Sequence, residues 1–202
     1  MGWRSRLGSV LAVAPLSLWV ANHLFENLLA WRGAAAWEAE VTGAASPAIE
    51  LLISALVLGP IVLHAIWGLA RMRLTRPNLG SWMTFDNLRF VLQRLSALGV
   101  LAFIPAHLYL ARIQPAVASE RGHLTLPEFS EHMQALPTLA VYLLGSLGVT
   151  YHLANGLWGF GVHMGWYRGP RAQKRLRNAC LVIFLILLAM AWGAILGVRL
   201  GS

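Results

Sequence analysis

Apolar residues in this chain are gathered into five long runs, not into the alternating or short amphipathic patterns of a soluble domain. The runs cover residues 7–30, 49–70, 90–111, 137–162 and 178–198. A helix needs about 20 such residues to cross the hydrocarbon core of a bilayer. Each run therefore predicts a membrane-spanning helix, and the connections are polar or rich in Gly and Pro. Pro15, Pro60 and Pro105 fall inside runs. Neighbouring helices can satisfy the carbonyl that such a proline frees. No internal repeat or low-complexity linker divides the chain. The expected architecture is one all-α integral membrane domain, residues 1–202, built as a bundle of five helices. The first run follows Arg4 and Arg6, as a secretory signal would. It is long for a signal core and continues through His23 and Glu26, so it reads as a retained helix.

The connection between the third and fourth runs contains TLPEFSEHMQAL. Thr125 and Glu128 have the spacing of a capping box. Leu126, Phe129, Met133 and Leu136 share one helical face. A short helix over about 126–136 is expected, lying on the membrane surface across the mouth of the bundle.

Composition agrees: 57% of residues are hydrophobic and 12% charged, about half the charged share of a soluble domain. The net charge of +8 is not the signature of a nucleic-acid binder here, because the basic residues sit between apolar runs. They set orientation instead. One side holds Arg4, Arg6, Arg71, Arg73, Arg76, Arg89, Arg94, Arg168, Arg171, Lys174, Arg175 and Arg177, with Asp86 as its acid. The other holds Arg32, Arg112, Arg121 and Arg199, with seven acids. The basic balance of 12 to 4 predicts a cytoplasmic N-terminus and an outer C-terminus. Cys180 is the single cysteine, so no disulfide framework, iron–sulfur cluster or CxxCH haem attachment is available.

Ionisable residues inside membrane helices are costly and mark function. His23, His64, His107 and His152 occur once in each of the first four runs, and the fifth has none. Four histidines on four helices are what two bis-imidazole haems require. Depth suggests the pairs. His23 and His107 lie seven and four residues before the outer ends of their runs. His64 lies six before the inner end of its run, and His152, near mid-span, is its remaining partner. The expected sites are an outer haem on His23 and His107 and an inner haem on His64 and His152. Gly68 and Gly156 follow two of these histidines by one turn, where a missing side chain lets a flat ring approach. Gln93, Arg94 and His163 are candidate partners of the inner haem propionates.

These residues resemble a known family. NHLFEN around His23, HAIWG from His64, FVLQR ahead of His107 and HLYLARI from it, HLANGLWGF from His152, and PRAQ at 170–173 carry the likeness. The chain is similar to the five-helix, dihaem cytochrome b membrane anchor of succinate dehydrogenases and fumarate reductases, in its single-polypeptide succinate:menaquinone form. The resemblance covers essentially the whole chain and implies the same two haem b pairs. It implies a location in the bacterial cytoplasmic membrane and docking of a flavoprotein and an iron–sulfur subunit on the basic cytoplasmic face. Electrons would pass to menaquinone or another quinone, with no dicarboxylate chemistry in this chain. Quinone reduction consumes two protons, so a carboxylate by the outer haem is apt. Glu26 is the candidate for quinone protonation and Glu50 for proton uptake. Two other readings exist: a dihaem anchor of another quinone-linked dehydrogenase, such as a hydrogenase, and a haem-free proton-coupled transporter. The basic inner face disfavours the first, and the second predicts a colourless protein.

Overall fold

Helix α1 occupies Trp3–Asn27 and passes through a 3-10 turn, Leu28–Arg32, to Gly33. The structure is a computed structural model that describes residues 3–43, 46–74, 84–119 and 121–201, and among these residues every regular element is helical. Arg76 and Glu120, which enter the charge balance, lie outside the described residues. A short α2, Ala34–Trp37, runs into a π turn, Glu38–Thr42. Then come α3, Pro47–Leu74, and α4, Phe85–Leu108. A second π turn, Tyr109–Ile113, and α5, Gln114–Ala118, prolong α4 without a break. The chain ends with α6, Leu126–Gln134, α7, Leu136–His163, and α8, Pro170–Leu200.

Among the described residues, four helical stretches are long and apolar enough to cross a membrane: Ala48–Leu74, Phe85–Ala118, Leu136–His163 and Pro170–Leu200. The 25-residue α1 is not among them. The helices outrun the apolar segments read from sequence. Backbone hydrogen bonding does not end where lipid ends, and the stops are local. Pro170 starts α8 directly after Gly169 at φ 85°, a conformation open to glycine.

The bundle is uneven. α7 packs closely on α4 and on α8, and α1 fits against α3, α7 and α8. Among the described residues, the close helix partner of α3 is α1. The space left between α3 and the α4–α7 pair becomes the cavity described below.

One end is closed by a cap. The Thr125 hydroxyl oxygen accepts from the Glu128 amide at 3.5 Å, and the Glu128 carboxylate accepts from the Thr125 amide at 2.9 Å. That is the capping box read from sequence. The Glu38 carboxylate accepts from the Leu126 amide at 3.0 Å, so the π turn also secures the start of α6. Leu126, Phe129 and Met133 are buried with Trp37, Tyr142, Ile195 and Val198. The last turn of α8 leaves carbonyls without helical partners; Ser130 and Gln134 donate to the Arg199 carbonyl at 3.4 and 3.1 Å. The surface helix stops at Gln134, short of the expected 136. Ala135 turns to ψ 119°, and Leu136, which shared the apolar face on paper, opens α7 and is exposed.

Candidate functional site

A cavity of about 900 Å³ runs along the bundle between α1, α3, α4 and α7. His23, His64, His107 and His152 all line it, and most of its other lining residues are apolar. The structure brings these histidines together in two pairs. His23 faces His107 at the capped end, with ring centroids 5.9 Å apart. His64 faces His152 farther down, at 6.1 Å. The rings are steeply inclined, by 74° and 69°.

At the capped end the setting is aromatic. Trp19, one turn before His23, stacks on it at 4.8 Å and 8°. Phe103, one turn before His107, stacks on that ring at 5.6 Å. The Tyr142 hydroxyl lies 3.2 Å from His107 Nδ1. Phe129 of the cap meets Tyr142 edge to face, so the surface helix reaches the histidine through one ring. Just beyond His107, α4 enters the π turn at Tyr109. Such turns recur at functional sites because they shift side chains off the regular helical register.

At the lower pair the setting is polar. His152 Nδ1 lies 3.3 Å from the Gln93 backbone carbonyl, 3.1 Å from Gln93 Nε2 and 3.4 Å from Ser96 Oγ. Gln93 Nε2 also donates to the His152 carbonyl at 3.1 Å. Asn155, one turn after His152, donates from Nδ2 to Gln93 Oε1 at 2.7 Å. Arg89, one turn before Gln93, donates to Asn155 Oδ1 from Nε at 3.0 Å and also from Nη2. Its guanidinium rests 3.8 Å above the Trp158 ring.

The residues fit a flat metal-centred ring. A metal held by two imidazole nitrogens at about 2 Å each sets the ring centroids about 6 Å apart, close to the spacings of both pairs. Nδ1 of His107 and of His152 is already turned to a protein neighbour, which leaves Nε2 of each as the nitrogen for a metal. Gly68, Gly156 and Gly159 line the cavity. A β-carbon at Gly68 or Gly159 would meet nothing within 4 Å, and at Gly156 only Gln93 Nε2 at 3.7 Å. Their bareness leaves open space beside the histidines; it is not needed for helix contact.

The other residues singled out from sequence are scattered. Gln93, Arg94 and His163 line the cavity near its lower end. Arg94 lies over the Phe90 ring at 4.2 Å, and His163 Nδ1 is 2.7 Å from the Gly159 carbonyl. Glu26 does not line the cavity; its Oε1 accepts from Asn22 at 2.5 Å. Glu50 is paired with Arg112 across the start of α3 and the second π turn. Sequence reasoning missed Tyr142, Asn155, Arg89 and Ser96. Asn155 had a signal, since it stands one turn from His152 within HLANGLW. Tyr142 had none, because only the fold carries it from α7 to His107.

Among the described residues, helices alone, four of them of membrane length and apolar, with two half-buried histidine pairs lining one cavity, define an integral membrane protein of the helical-bundle class. No protein-family model matches the chain. It is 30% identical over 186 residues to the succinate dehydrogenase cytochrome b558 subunit of Bacillus subtilis (strain 168), covering 90% of this chain and 89% of that protein. The chain belongs to the family of succinate dehydrogenase cytochrome b anchor subunits.

Proposed function

We propose that this chain is the membrane-anchor and electron-transfer subunit of a succinate:quinone oxidoreductase. The observation that carries the reading is the pair of histidine pairs, each spaced for one metal between two imidazoles, around a cavity with bare glycines. His23 and His107 hold one haem b, and His64 and His152 hold a second. Bound there, haem would supply a one-electron carrier between the iron–sulfur partner and the quinone.

The chain's own residues do the rest. Tyr142 and the Gln93 carbonyl fix the Nδ1 side of His107 and His152 and so would leave Nε2 of each to hold the haem iron. Trp19 and Phe103 wall the upper ligands from lipid and water. Gln93, Arg94 and His163 stand where the propionates of the lower haem would end. Glu26 protonates quinone near the upper pair, and Glu50 aids proton uptake. The chain forms one membrane domain in which α1 is the fifth span. Its N-terminus is cytoplasmic and its C-terminus outside, in a bacterial cytoplasmic membrane. The basic loops before α4 and before α8 receive the iron–sulfur and flavoprotein subunits. Menaquinone, or another quinone, accepts the electrons.

The test is a visible spectrum and haem count on the purified complex. Two b-type haems are expected, with His23→Ala and His64→Ala each removing a different one. A colourless folded protein, or loss of both haems in either variant with the fold intact, would refute the assignment. In the same preparations Glu26→Gln should slow quinone reduction while sparing succinate oxidation by an artificial acceptor. Unchanged quinone turnover would remove Glu26 from the mechanism.

A further inference from the structure

Arg89 is charged, sits among membrane helices and is only 8% exposed. Such a burial is costly unless the charge is partnered. Tyr151 lies beside it, and its hydrogen-bond acceptor across the helices is an amide instead of a carboxylate: Nε and Nη2 both converge on Asn155 Oδ1. Arginine has no acceptor. The Asn155 atom that faces it must therefore be oxygen, which turns Nδ2 toward Gln93. The Gln93 atom that receives Nδ2, at 2.7 Å, must in turn be Oε1. The amide nitrogen of Gln93 is thereby left on the histidine side, 3.1 Å from both His152 Nδ1 and the His152 carbonyl. An isolated glutamine amide can turn over by 180° at little cost. Here each amide is locked by the next, and the chain of locks ends on a group that cannot reverse.

The polarity matters at His152. A histidine that gives Nε2 to a metal carries its proton on Nδ1. That N–H finds the Gln93 backbone carbonyl at 3.3 Å, an acceptor already used by Ser96 Oγ at 3.0 Å, and the Ser96 oxygen itself at 3.4 Å. It finds no acceptor in the Gln93 side chain, whose nearer atom is itself a donor. Turned over, Gln93 would place Oε1 beside Nδ1–H. A further, closer acceptor on that N–H makes the imidazole a more basic ligand, and a more basic ligand favours the oxidised metal.

We infer that Arg89, Asn155 and Gln93 form an amide-polarity lock: positioning residues that hold a donor at His152 Nδ1 and so keep the reduction potential of the haem on His64 and His152 higher than an unlocked glutamine would allow. The inference rests on the proposed haem ligation by this pair. The lock acts on one haem only, since Tyr142, and not an amide, faces the corresponding nitrogen of His107.

The experiment is a redox titration of both haems in the assembled complex, followed by their optical and magnetic spectra. Asn155→Leu removes the middle of the lock and frees Gln93. The expected result is a fall in the potential of the lower haem of about 59 mV, a tenfold change in a one-electron equilibrium, with the upper haem unmoved. Arg89→Met should shift it in the same direction by freeing Asn155. In a Gln93→Met background both shifts should vanish, because no amide remains to turn. Unchanged potentials overturn the lock. So do shifts that persist in the Gln93→Met background, or loss of the lower haem in both variants, which would make these residues structural supports. A different result bears on the ligation itself: if His152→Ala keeps the full haem content, the haem assignment fails, whatever the potentials do.

Discussion

The two histidine pairs share nearly the same spacing and differ in almost everything around them. The upper pair is wrapped in Trp19, Phe103 and Tyr142 and lies under a buried apolar cap. At the lower pair His152 is held by the Gln93 carbonyl and amide, with Asn155 and the buried Arg89 behind them, beside glycines that touch almost nothing. The upper site therefore takes its shape from packing, and the lower from directed hydrogen bonds. Packing excludes water but does little to choose which atom faces a ligand nitrogen. A hydrogen-bond chain fixes that atom and leaves room beside it. Glycine illustrates the contrast within one helix. Gly145 of α7 is buried under Phe103, whereas Gly156, three turns on, opens onto the cavity.

The sharpest break in the comparison comes from the cap. Met133 is fully buried beneath α6. Met133→Ala should cost about 2–5 kcal/mol of local stability, read as faster hydrogen exchange in α6. Haem release should begin at the upper pair, leaving the lower pair intact. Equal loss from both pairs would show that the cap serves the bundle as a whole. Next in size is Gly145→Ala. Its β-carbon would fall 2.1 Å from the Phe103 ring, the ring that stacks on His107. Overpacking of this kind costs about 1–3 kcal/mol and should lower the thermal midpoint in detergent. Gly68→Ala, with open space around it, should leave that midpoint unchanged while lowering haem content at the lower pair. Equal midpoints for the two variants would erase the distinction between packing glycines and cavity glycines.

The smallest effect expected is a pH dependence of the cap. Backbone and side-chain hydrogen bonds from Thr125 hold the Glu128 carboxyl below its usual range. A carboxylate with a depressed folded value contributes stability that is present above its unfolded pKa, about 4.3, and is lost as pH falls through the lower folded value. Opening of α6 should therefore quicken only in that acid window. Glu128→Gln should remove the dependence, and hydrogen exchange of residues 125–134 against pH would show a persistent transition if another group controls the cap.

Much of this protein was legible in order along the chain. The spacing of Thr125 and Glu128 announced the cap of α6, because a capping box is a contact between residues three apart. One histidine in each of four apolar runs announced a cluster facing the bundle interior. Depth along those runs suggested which histidines could meet, since a membrane fixes height even before the helices are arranged. The boundaries were less legible. Hydropathy marks where lipid begins, whereas α8 continues to hydrogen-bond its backbone back to Pro170, through Arg171, Lys174, Arg175 and Arg177. Gln93 was visible as a polar residue near a ligand, but its partner was not. Its side chain meets His152 and Asn155 across the contact of α4 with α7.

Sequence by itself therefore determined the helical membrane class and the four histidines that meet inside the bundle, because these depend on composition and on periodicity within single helices; the family likeness rested on the short motifs around those histidines. Tertiary structure alone decided which neighbour each imidazole has. Tyr142 and His107 are 35 residues apart, and Arg89 and Asn155 are 66 apart. Nothing along the chain sets the rotation of α4 against α7, which brings one histidine to a hydroxyl and the other to a locked amide. That rotation follows from side-chain fit, with Phe103 lying over Gly145 and Gln93 beside Gly156.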